Sequence, residues 1–298
     1  MGTFDLDAYM RGKAALVNRR LEELLGAPSD ENGLYAAMRY SLLAGGKRLR
    51  PILAMAGAEA VGGDPERVLP FAASLEFIHT YSLIHDDLPA MDDSDFRRGR
   101  PTSHKTFGEA TAILTGDALL TMAFEVMTAS EGADGLDSAL VRKVVREVAR
   151  AIGVDGMIGG QAADLRFMGK SATAKDVEYI HTHKTAALIR VSAWGGAFLG
   201  GGTEEQVGAV GRYGKNVGLA FQIVDDILDE IGDSGVLGKS AGSDQRAEKA
   251  TYPKVFGIEQ SRKMARELVE ASLAELSRLG PRGEPLRQIA KFIVARDF

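Results

Sequence analysis

The chain has 298 residues, of which 45% are hydrophobic and 26% are charged, and these shares are typical of an ordinary globular protein. The formal net charge of -5 argues against a nucleic-acid partner, because proteins that bind nucleic acids usually carry basic patches. The sequence contains no cysteine, so disulfides and thiolate metal sites are excluded, and the cytoplasm is the simplest expected location.

The N-terminal residues 1–26 mix leucines with charged side chains, which predicts an amphipathic helix and no leader peptide. Along the whole sequence, no stretch approaches the ~20 consecutive apolar residues that a membrane-spanning helix needs. We therefore expect no membrane span.

Helical periodicity dominates the rest of the chain. The clear helical runs cover residues 34–43, 68–87, 110–127, 138–152, 177–199, 204–231 and 260–279. Glycine and proline mark the joints between these runs, and convincing alternating strands are absent. We predict one all-α domain over residues 1–298, with about ten helices. The run 110–127 is apolar on nearly every side, so it would be central or covered by a partner.

A first acidic cluster closes the apolar run 68–87. Its members are Asp86, Asp87, Asp92, Asp93 and Asp95. Carboxylates at the end of an apolar helix need a compensating cation or water, and hard oxygen ligands suit Mg²⁺. Pro89 breaks the helix, which would allow Asp92 to fold back toward Asp86. A solvated acidic helix end is the alternative interpretation.

A second acidic stripe lies on the run 204–231. Its polar members, spanning about 100° of a helical wheel, are Gln222, Asp225, Asp226, Asp229 and Asp233. A narrow carboxylate stripe on an otherwise apolar helix needs counter-charge, although an amphipathic surface helix is the alternative. Two such helices suggest a facing pair that holds several Mg²⁺ ions around a polyanion, for which diphosphate is the natural candidate.

Basic residues cluster next to turns. They are Lys47, Arg48 and Arg50 beside a Gly-Gly pair, Arg97 and Arg98 after the first acidic cluster, and Lys239 after the second. Lys184 and Thr185 stand inside an otherwise apolar run. Arginine and lysine both suit phosphate contacts, although any single basic pair is usually an ordinary surface feature. A Walker A motif and a dinucleotide-binding glycine fingerprint are absent, so nucleotide phosphate is not the first choice.

Five linked motifs carry a resemblance to a known family. They are GGKRLRP at 45–51, DDLPAMD at 86–92 followed by RRGRPTSH, GGQAADL at 159–165, HKTAALI at 183–189 and FQIVDDILD at 221–229. In order and approximate spacing they resemble the signature set of the trans-prenyl diphosphate synthases. Within that family they look most like the bacterial enzymes that make farnesyl diphosphate.

The resemblance implies an isoprenoid-synthase-type antiparallel helical bundle around a deep central cavity, usually as a homodimer. The reaction it implies is a Mg²⁺-dependent head-to-tail (1'-4) condensation of isopentenyl diphosphate with dimethylallyl and geranyl diphosphate, with about three Mg²⁺ ions in each active site. Farnesyl diphosphate is the expected product, and geranylgeranyl diphosphate is the alternative.

The motifs also imply a role for individual residues. Those expected to bind metal are Asp86, Asp87, Asp92, Asp225, Asp226 and Asp229. Those expected to bind the allylic diphosphate are Arg97, Lys184, Thr185, Gln222 and Lys239. Those expected to bind isopentenyl diphosphate are Lys47, Arg50, His79 and Arg98. The residues expected to carry the catalytic chemistry are Asp86, Asp92, Arg97, Lys184, Asp225 and Lys239.

The family places a chain-length gate about one helical turn before the first aspartate motif, where Tyr81 and Ser82 stand. The bulky ring of Tyr81 resembles enzymes that stop at farnesyl diphosphate. On a helical wheel, however, Ser82 shares the line of Asp86, and an ordinary packed aromatic residue is the alternative interpretation for Tyr81.

Three other classes of protein remain possible. A terpene cyclase would share the metal-binding acids but would not need a second diphosphate site, against which Lys47, Arg50 and His79 argue. A non-catalytic partner subunit tends to lose acids of the motifs, and this chain retains both sets. A structural helical protein would not bind diphosphates with Mg²⁺.

Overall fold

A computed structural model describes residues 4–26, 33–129, 136–231 and 249–295. The α-helices in these ranges are α1 (Leu6–Leu25), α2 (Leu34–Leu42), α3 (Leu49–Ala60), α4 (Leu69–Asp86), α5 (Ser103–Phe107), α6 (Glu109–Ala129), α7 (Ser138–Ile152), α8 (Met157–Phe167), α9 (Ala174–His181), α10 (Ala187–Leu199), α11 (Glu204–Ile231), α12 (Tyr252–Phe256), α13 (Ile258–Glu275) and α14 (Glu284–Ala295). A short antiparallel hairpin pairs β1 (Phe96–Arg97) with β2 (Arg100–Pro101). The predicted all-α class is confirmed.

Two helical connections have special geometry. Thr182–Ala186 forms a π-helical turn, called the π-turn below, between α9 and α10, so the predicted run 177–199 is interrupted. A 3₁₀ segment, Leu276–Gly283, joins α13 to α14.

The sequence did not predict α3. This helix begins after Arg48, which has a left-handed backbone conformation (φ 51°), and it contains Pro51 in its first turn, where a missing N–H is tolerated. Its residues from Pro51 to Ala58 are all buried, so the helix lacks the apolar–polar period that identifies amphipathic helices.

Two apolar cores hold the helices together. Phe77, Leu119 and Val148 place α4, α6 and α7 in one core, and Tyr213 and Leu286 place α11 and α14 in the other. Helices α3 and α10 contribute buried side chains to both cores, so they lie between them. The helices that carry the two acidic motifs, α4 and α11, are therefore each anchored by a separate core.

The prediction that no stretch is apolar enough to span a membrane is wrong for α6. By length and composition, Glu109–Ala129 could cross a membrane: its most apolar stretch has a mean hydropathy of 1.4, and 39% of that stretch is buried. A single helix of this kind is weak support for a membrane span, because a helix in the core of a protein can be equally long and apolar. Ile113 and Leu114 on α6 are 44% and 57% exposed, so the helix is not central, and a covering partner stays a prediction.

Candidate active site

The first acidic motif lies where α4 ends. Asp86 is the last residue of the helix, and the backbone N–H of Asp92 donates to the Asp86 carbonyl oxygen at 2.8 Å. The fold-back predicted after Pro89 is therefore confirmed. Burial raises the pKa of Asp86, Lys184 opposes the shift and Asp92 adds to it. Two half-buried carboxylates at this point favour a cation between them.

Asp87 and Arg97 form a bidentate ion pair. Arg97 Nε lies 2.9 and 2.7 Å from the two Asp87 carboxylate oxygens, and Arg97 Nη2 donates to Asp87 Oδ1 at 2.7 Å. Asp87 is about 100° round the helix from Asp86, and the hairpin returns Arg97 to the end of α4. The metal role of Asp87 and the diphosphate role of Arg97 stay predictions; the ion pair uses Nε and Nη2 of the guanidinium, so it does not by itself exclude a diphosphate contact from Nη1.

Lys184 lies between carboxylates from two parts of the chain. Its Nζ donates to Asp164 Oδ2 of α8 at 2.6 Å. Burial lowers the pKa of Lys184, but Asp164, Asp86 and Asp92 together raise it above its ordinary value. This ammonium group is therefore fully charged and faces the first acidic motif.

The sequence did not single out Asp164, Lys249 or His181 as residues of the site, and His181 is described with Asp226 below. Asp164, the partner of Lys184, belongs to the GGQAADL motif, so the motif was a usable signal for it. Lys249 donates to Asp92 Oδ2 at 2.9 Å, with both side chains only 16% exposed. Lys249 follows Asp229, the last residue of the second acidic motif, by 20 positions, and neither spacing nor periodicity connects it with Asp92.

The π-turn carries Lys184 and Thr185, and two glycines fix its position. A Cβ atom at Gly160 of α8 would lie 2.2 Å from the backbone nitrogen of Lys184. A Cβ atom at Gly218 of α11 would lie 2.7 Å from Ala186 Cα. Both neighbouring helices therefore contact the backbone of the π-turn directly. Such turns often occur at functional sites, because the extra residue redirects side chains within a helix.

The second acidic stripe has members of different accessibility. Asp225 is half-buried, whereas Asp226 and Asp229 are 3% and 1% exposed. Of these three carboxylates, Asp225 is therefore the one most accessible to a metal ion. Asp233 and Lys239 lie outside the described residues.

Asp226 accepts hydrogen bonds from three protein groups. Gln222 Nε2 donates to Oδ1 at 2.8 Å, while His181 Nε2 and the backbone N–H of Tyr252 contact Oδ2 at 2.8 and 3.0 Å. Gln222 Oε1 in turn accepts from Thr185 Oγ1 at 2.8 Å. The structure brings Thr185 and Gln222 together, but it surrounds Asp226 with protein donors.

The residues predicted to bind isopentenyl diphosphate gather around His79. Burial, followed by Arg50 and Arg98, lowers the pKa of His79 well below its ordinary value, so its imidazole is neutral. Burial also lowers the pKa of Arg50 to about 10. The Arg98 guanidinium donates to the Gly45 carbonyl oxygen, and Lys47 is exposed in the same loop. Crowded cations with lowered pKa values favour the binding of an anion here.

An open cleft of about 410 Å³ lies between α2, α4 and the hairpin. Leu83 and Ile84 supply apolar walls, and Arg97 and Arg98 supply positive charge. This combination suits a small anion that carries a hydrocarbon group.

The two candidate gate residues have different surroundings. Tyr81 is 5% exposed, its ring lies 5.7 Å from that of His85, and burial raises the pKa of its phenol to about 12, with a further contribution from Asp86. Ser82 is half-buried and donates to the His79 carbonyl oxygen at 2.9 Å. The gate role of either residue stays a prediction.

The acidic site fits a hard cation with few protein ligands. Asp92 Oδ1 is buried without a hydrogen-bond partner, and burial disfavours the charged form of Asp86. Within the described residues, no group of three acidic or imidazole side chains is arranged to hold a metal by itself. Mg²⁺ meets both conditions, because it binds through one or two carboxylates and completes its shell with water and phosphate oxygens.

The two acidic helices meet at the segment that follows the second motif. Lys249 of this segment binds Asp92, and the Tyr252 N–H binds Asp226. Arg50 of α3 lies close enough to Asp225 for that carboxylate to raise its pKa against the larger effect of burial. Asp92 of α4 and Asp225 of α11 are therefore each approached by a cation, Lys249 and Arg50 respectively, and the segment that carries Lys249 also contacts Asp226.

Comparison with known proteins agrees with this geometry. The family model described as polyprenyl synthetase matches residues 31–278. A chloroplastic geranylgeranyl pyrophosphate synthase of Catharanthus roseus is 45% identical over 298 residues, covering 99% of this chain and 82% of that protein.

Two solved structures are also similar. An FPP/GFPP synthase from Zymomonas mobilis is 37% identical, with a TM-score of 0.86 over 97% of this chain and 98% of that one. Geranylgeranyl pyrophosphate synthetase from Pyrococcus horikoshii is 35% identical, with the same TM-score and coverage. These matches support prenyl chain elongation and thus a prenyltransferase of isoprenoid biosynthesis. The chain belongs to the polyprenyl synthetase family.

Proposed function

We propose that the protein condenses isopentenyl diphosphate with an allylic diphosphate, head to tail, with the help of Mg²⁺. The observation that most directly supports this proposal is that two cationic surfaces flank Asp86. Lys184 and Lys249 approach the first acidic motif directly. The second surface surrounds His79, seven residues earlier on α4 and thus roughly 10 Å along the helix axis. A single diphosphate would not need two such surfaces, whereas a condensation of two diphosphates does.

Each surface would bind one substrate. Lys184, Thr185 and Gln222 would hold the allylic diphosphate, and the pair of Arg50 and Arg98 would hold isopentenyl diphosphate with the exposed Lys47. Bound Mg²⁺, held by Asp86, Asp92 and Asp225, would supply charge stabilisation to the departing diphosphate.

The side chains would then act mainly by position and charge. Lys184, kept charged by three carboxylates, would stabilise negative charge on the leaving group. Apolar walls would keep water from the allylic cation until the double bond of isopentenyl diphosphate attacks it. The family suggests that the released diphosphate accepts the final proton, so no side-chain base is required.

The product length has two candidates. Relatives named as geranylgeranyl pyrophosphate synthases favour geranylgeranyl diphosphate, which was the alternative from the sequence. Farnesyl diphosphate, the product first expected, is favoured by the buried ring of Tyr81 about one turn before Asp86. We propose geranylgeranyl diphosphate as the main product and keep farnesyl diphosphate as the second candidate.

A homodimer and a cytoplasmic location remain part of the proposal. The exposed apolar side chains of Ile113 and Leu114 on α6 support a homodimer, because a second subunit would cover them. Named relatives in plants are chloroplastic, so the location is not transferred from them.

The test is incubation of the purified protein with isopentenyl diphosphate, Mg²⁺ and dimethylallyl, geranyl or farnesyl diphosphate in turn. The products are dephosphorylated, and the alcohols are separated by chromatography. Chain-elongated alcohols that disappear in an Asp86→Asn control support the proposal. Absence of elongation with all three starters contradicts it, and the longest main product decides between the two lengths.

A further inference from the structure

Asp226 was expected to bind metal, but its surroundings indicate a different role. Oδ1 accepts from Gln222 Nε2 at 2.8 Å, and Oδ2 accepts from His181 Nε2 at 2.8 Å and from the Tyr252 N–H at 3.0 Å. A carboxylate has about four acceptor positions, so three of them are occupied by protein donors. The side chain is also 3% exposed. A metal ion would have to displace these donors in a site closed to water.

Both ring nitrogens of His181 face acceptor oxygens. Its Nδ1 lies 2.8 Å from the Val177 carbonyl oxygen, and its Nε2 lies 2.8 Å from Asp226 Oδ2. Both partners are acceptors, whereas a neutral imidazole has only one N–H to donate. This geometry favours the doubly protonated imidazole, which would make the buried contact between His181 and Asp226 a charge-assisted hydrogen bond.

The acceptor-only carboxylate fixes the orientation of Gln222. The Gln222 amide must turn its nitrogen toward Asp226 and its oxygen toward Thr185, whose hydroxyl donates to it at 2.8 Å. The second N–H of the Gln222 amide is then left to point elsewhere, and the Thr185 oxygen keeps its acceptor lone pairs. An amide donor is what a diphosphate oxygen requires from Gln222.

We infer that Asp226 is a positioning residue rather than a metal ligand, and that with His181 it holds Gln222 and Thr185 in the orientation that binds the allylic diphosphate. The inference rests on the proposed function for the identity of that ligand. The pair also ties α9, α11 and the start of α12 together beside the π-turn, so its loss would loosen the turn that carries Lys184.

The test compares Asp226→Asn with the adjacent Asp225→Asn in the full chain. For Asp226→Asn we expect the KM for the allylic diphosphate to rise roughly tenfold, because a charge-assisted hydrogen bond and the amide orientation are lost. The Mg²⁺ concentration for half-maximal rate and the KM for isopentenyl diphosphate should stay unchanged. For Asp225→Asn the Mg²⁺ requirement should rise instead.

A second readout needs no substrate. Without Mg²⁺ and diphosphate, Asp226→Asn and His181→Gln should each lower the thermal unfolding midpoint, while Asp225→Asn, at a less buried carboxylate, should lower it less. The double variant His181→Gln/Asp226→Asn should be less destabilised than the two single effects combined, because neither charge remains unpaired.

Three outcomes would overturn the inference. One is a Mg²⁺ requirement that rises as much in Asp226→Asn as in Asp225→Asn. Another is an unchanged allylic KM in Asp226→Asn. The third is additive unfolding effects in the double variant. If Asp226→Asn does not fold, the same measurements are made on His181→Gln. That substitution alters neither a metal contact nor a substrate contact. A wild-type protein without elongation activity would instead refute the proposed function, and the unfolding comparison would still decide the role of the pair.

Discussion

Arg48 and Glu76 form an ion pair that is closed to solvent: Arg48 Nη1 lies 2.7 Å from Glu76 Oε1, and the two side chains are 1% and 2% exposed. Arg48 also donates from Nε to Asn18 Oδ1 and from Nη2 to the Leu42 carbonyl oxygen. All three nitrogens of the guanidinium group thus make a hydrogen bond that holds the left-handed Arg48 inside the molecule. The loop on either side of it can then present Lys47 and Arg50.

Replacement of Glu76 by glutamine should destabilise the protein strongly. It leaves the Arg48 guanidinium buried without its counter-charge, which costs about 3–5 kcal/mol of the free energy of unfolding. Urea unfolding of Glu76→Gln measures this loss. Glu23→Gln is the matched control, because the Arg20–Glu23 pair is exposed and should contribute about 1 kcal/mol or less. Equal losses in the two variants would contradict the structural role of the buried pair.

In mild acid the unfolded chain should bind a proton at His79 that the folded protein does not, and this should lower the free energy of unfolding. The folded protein keeps the pKa of His79 well below its ordinary value of 6.5, so the unfolded chain binds this proton more tightly. Stability is therefore present above the ordinary pKa and decreases as the pH falls below it. Unfolding of the wild type and His79→Gln is compared at pH 7.5 and 5.5. The wild type should lose more stability between these values, and identical losses would show that His79 titrates normally.

Gly160→Ala should disturb the π-turn. The added Cβ would lie 2.2 Å from the Lys184 backbone nitrogen, and overpacking of this kind costs roughly 1–3 kcal/mol. We expect a lower unfolding midpoint together with a higher KM for the allylic diphosphate. Gly12→Ala in α1 is the control, since it meets no atom within 4 Å and should be neutral or stabilising. A Gly160→Ala protein that matches the control would mean that α8 does not fix the turn.

Tyr81→Ala should lengthen the product if the ring limits the hydrocarbon chain. Removal of a buried aromatic side chain opens space one turn before Asp86, at a cost of roughly 3–5 kcal/mol. Chromatography of the dephosphorylated alcohols measures the change. Ser82→Ala removes only a hydroxyl group and should leave the product length as in the wild type. An unchanged product from Tyr81→Ala would identify Tyr81 as an ordinary packed residue.

Asp86→Asn should abolish most of the activity without loss of the fold. Since burial disfavours the charged carboxylate, the neutral amide should not lower the metal-free unfolding midpoint. Turnover should fall by about 10²–10⁴-fold, in line with the removal of a major electrostatic contribution. Turnover near that of the wild type would exclude Asp86 from metal binding.

The sequence predicted the helical class, the ends of α7 and α11 and the fold-back of Asp92, because these depend on local periodicity and on Pro89. It missed α3, whose burial on all sides leaves no period, and the π-turn, which looks like continuous helix in a pattern of apolar residues. Within the site, aspartates could be found by composition, but their partners could not. The contacts of Asp87 with Arg97 and of Asp226 with His181 depend on tertiary packing.

The hydrogen bond between Lys249 and Asp92 joins positions 157 residues apart. During translation, Asp92 leaves the ribosome long before Lys249 is made. Asp92 therefore gains this counter-ion only after the segment that follows α11 has been made, whereas Asp87 pairs with the nearby Arg97. Nascent chains that stop before Lys249 should therefore leave Asp92 without this partner and Asp226 without the Tyr252 N–H.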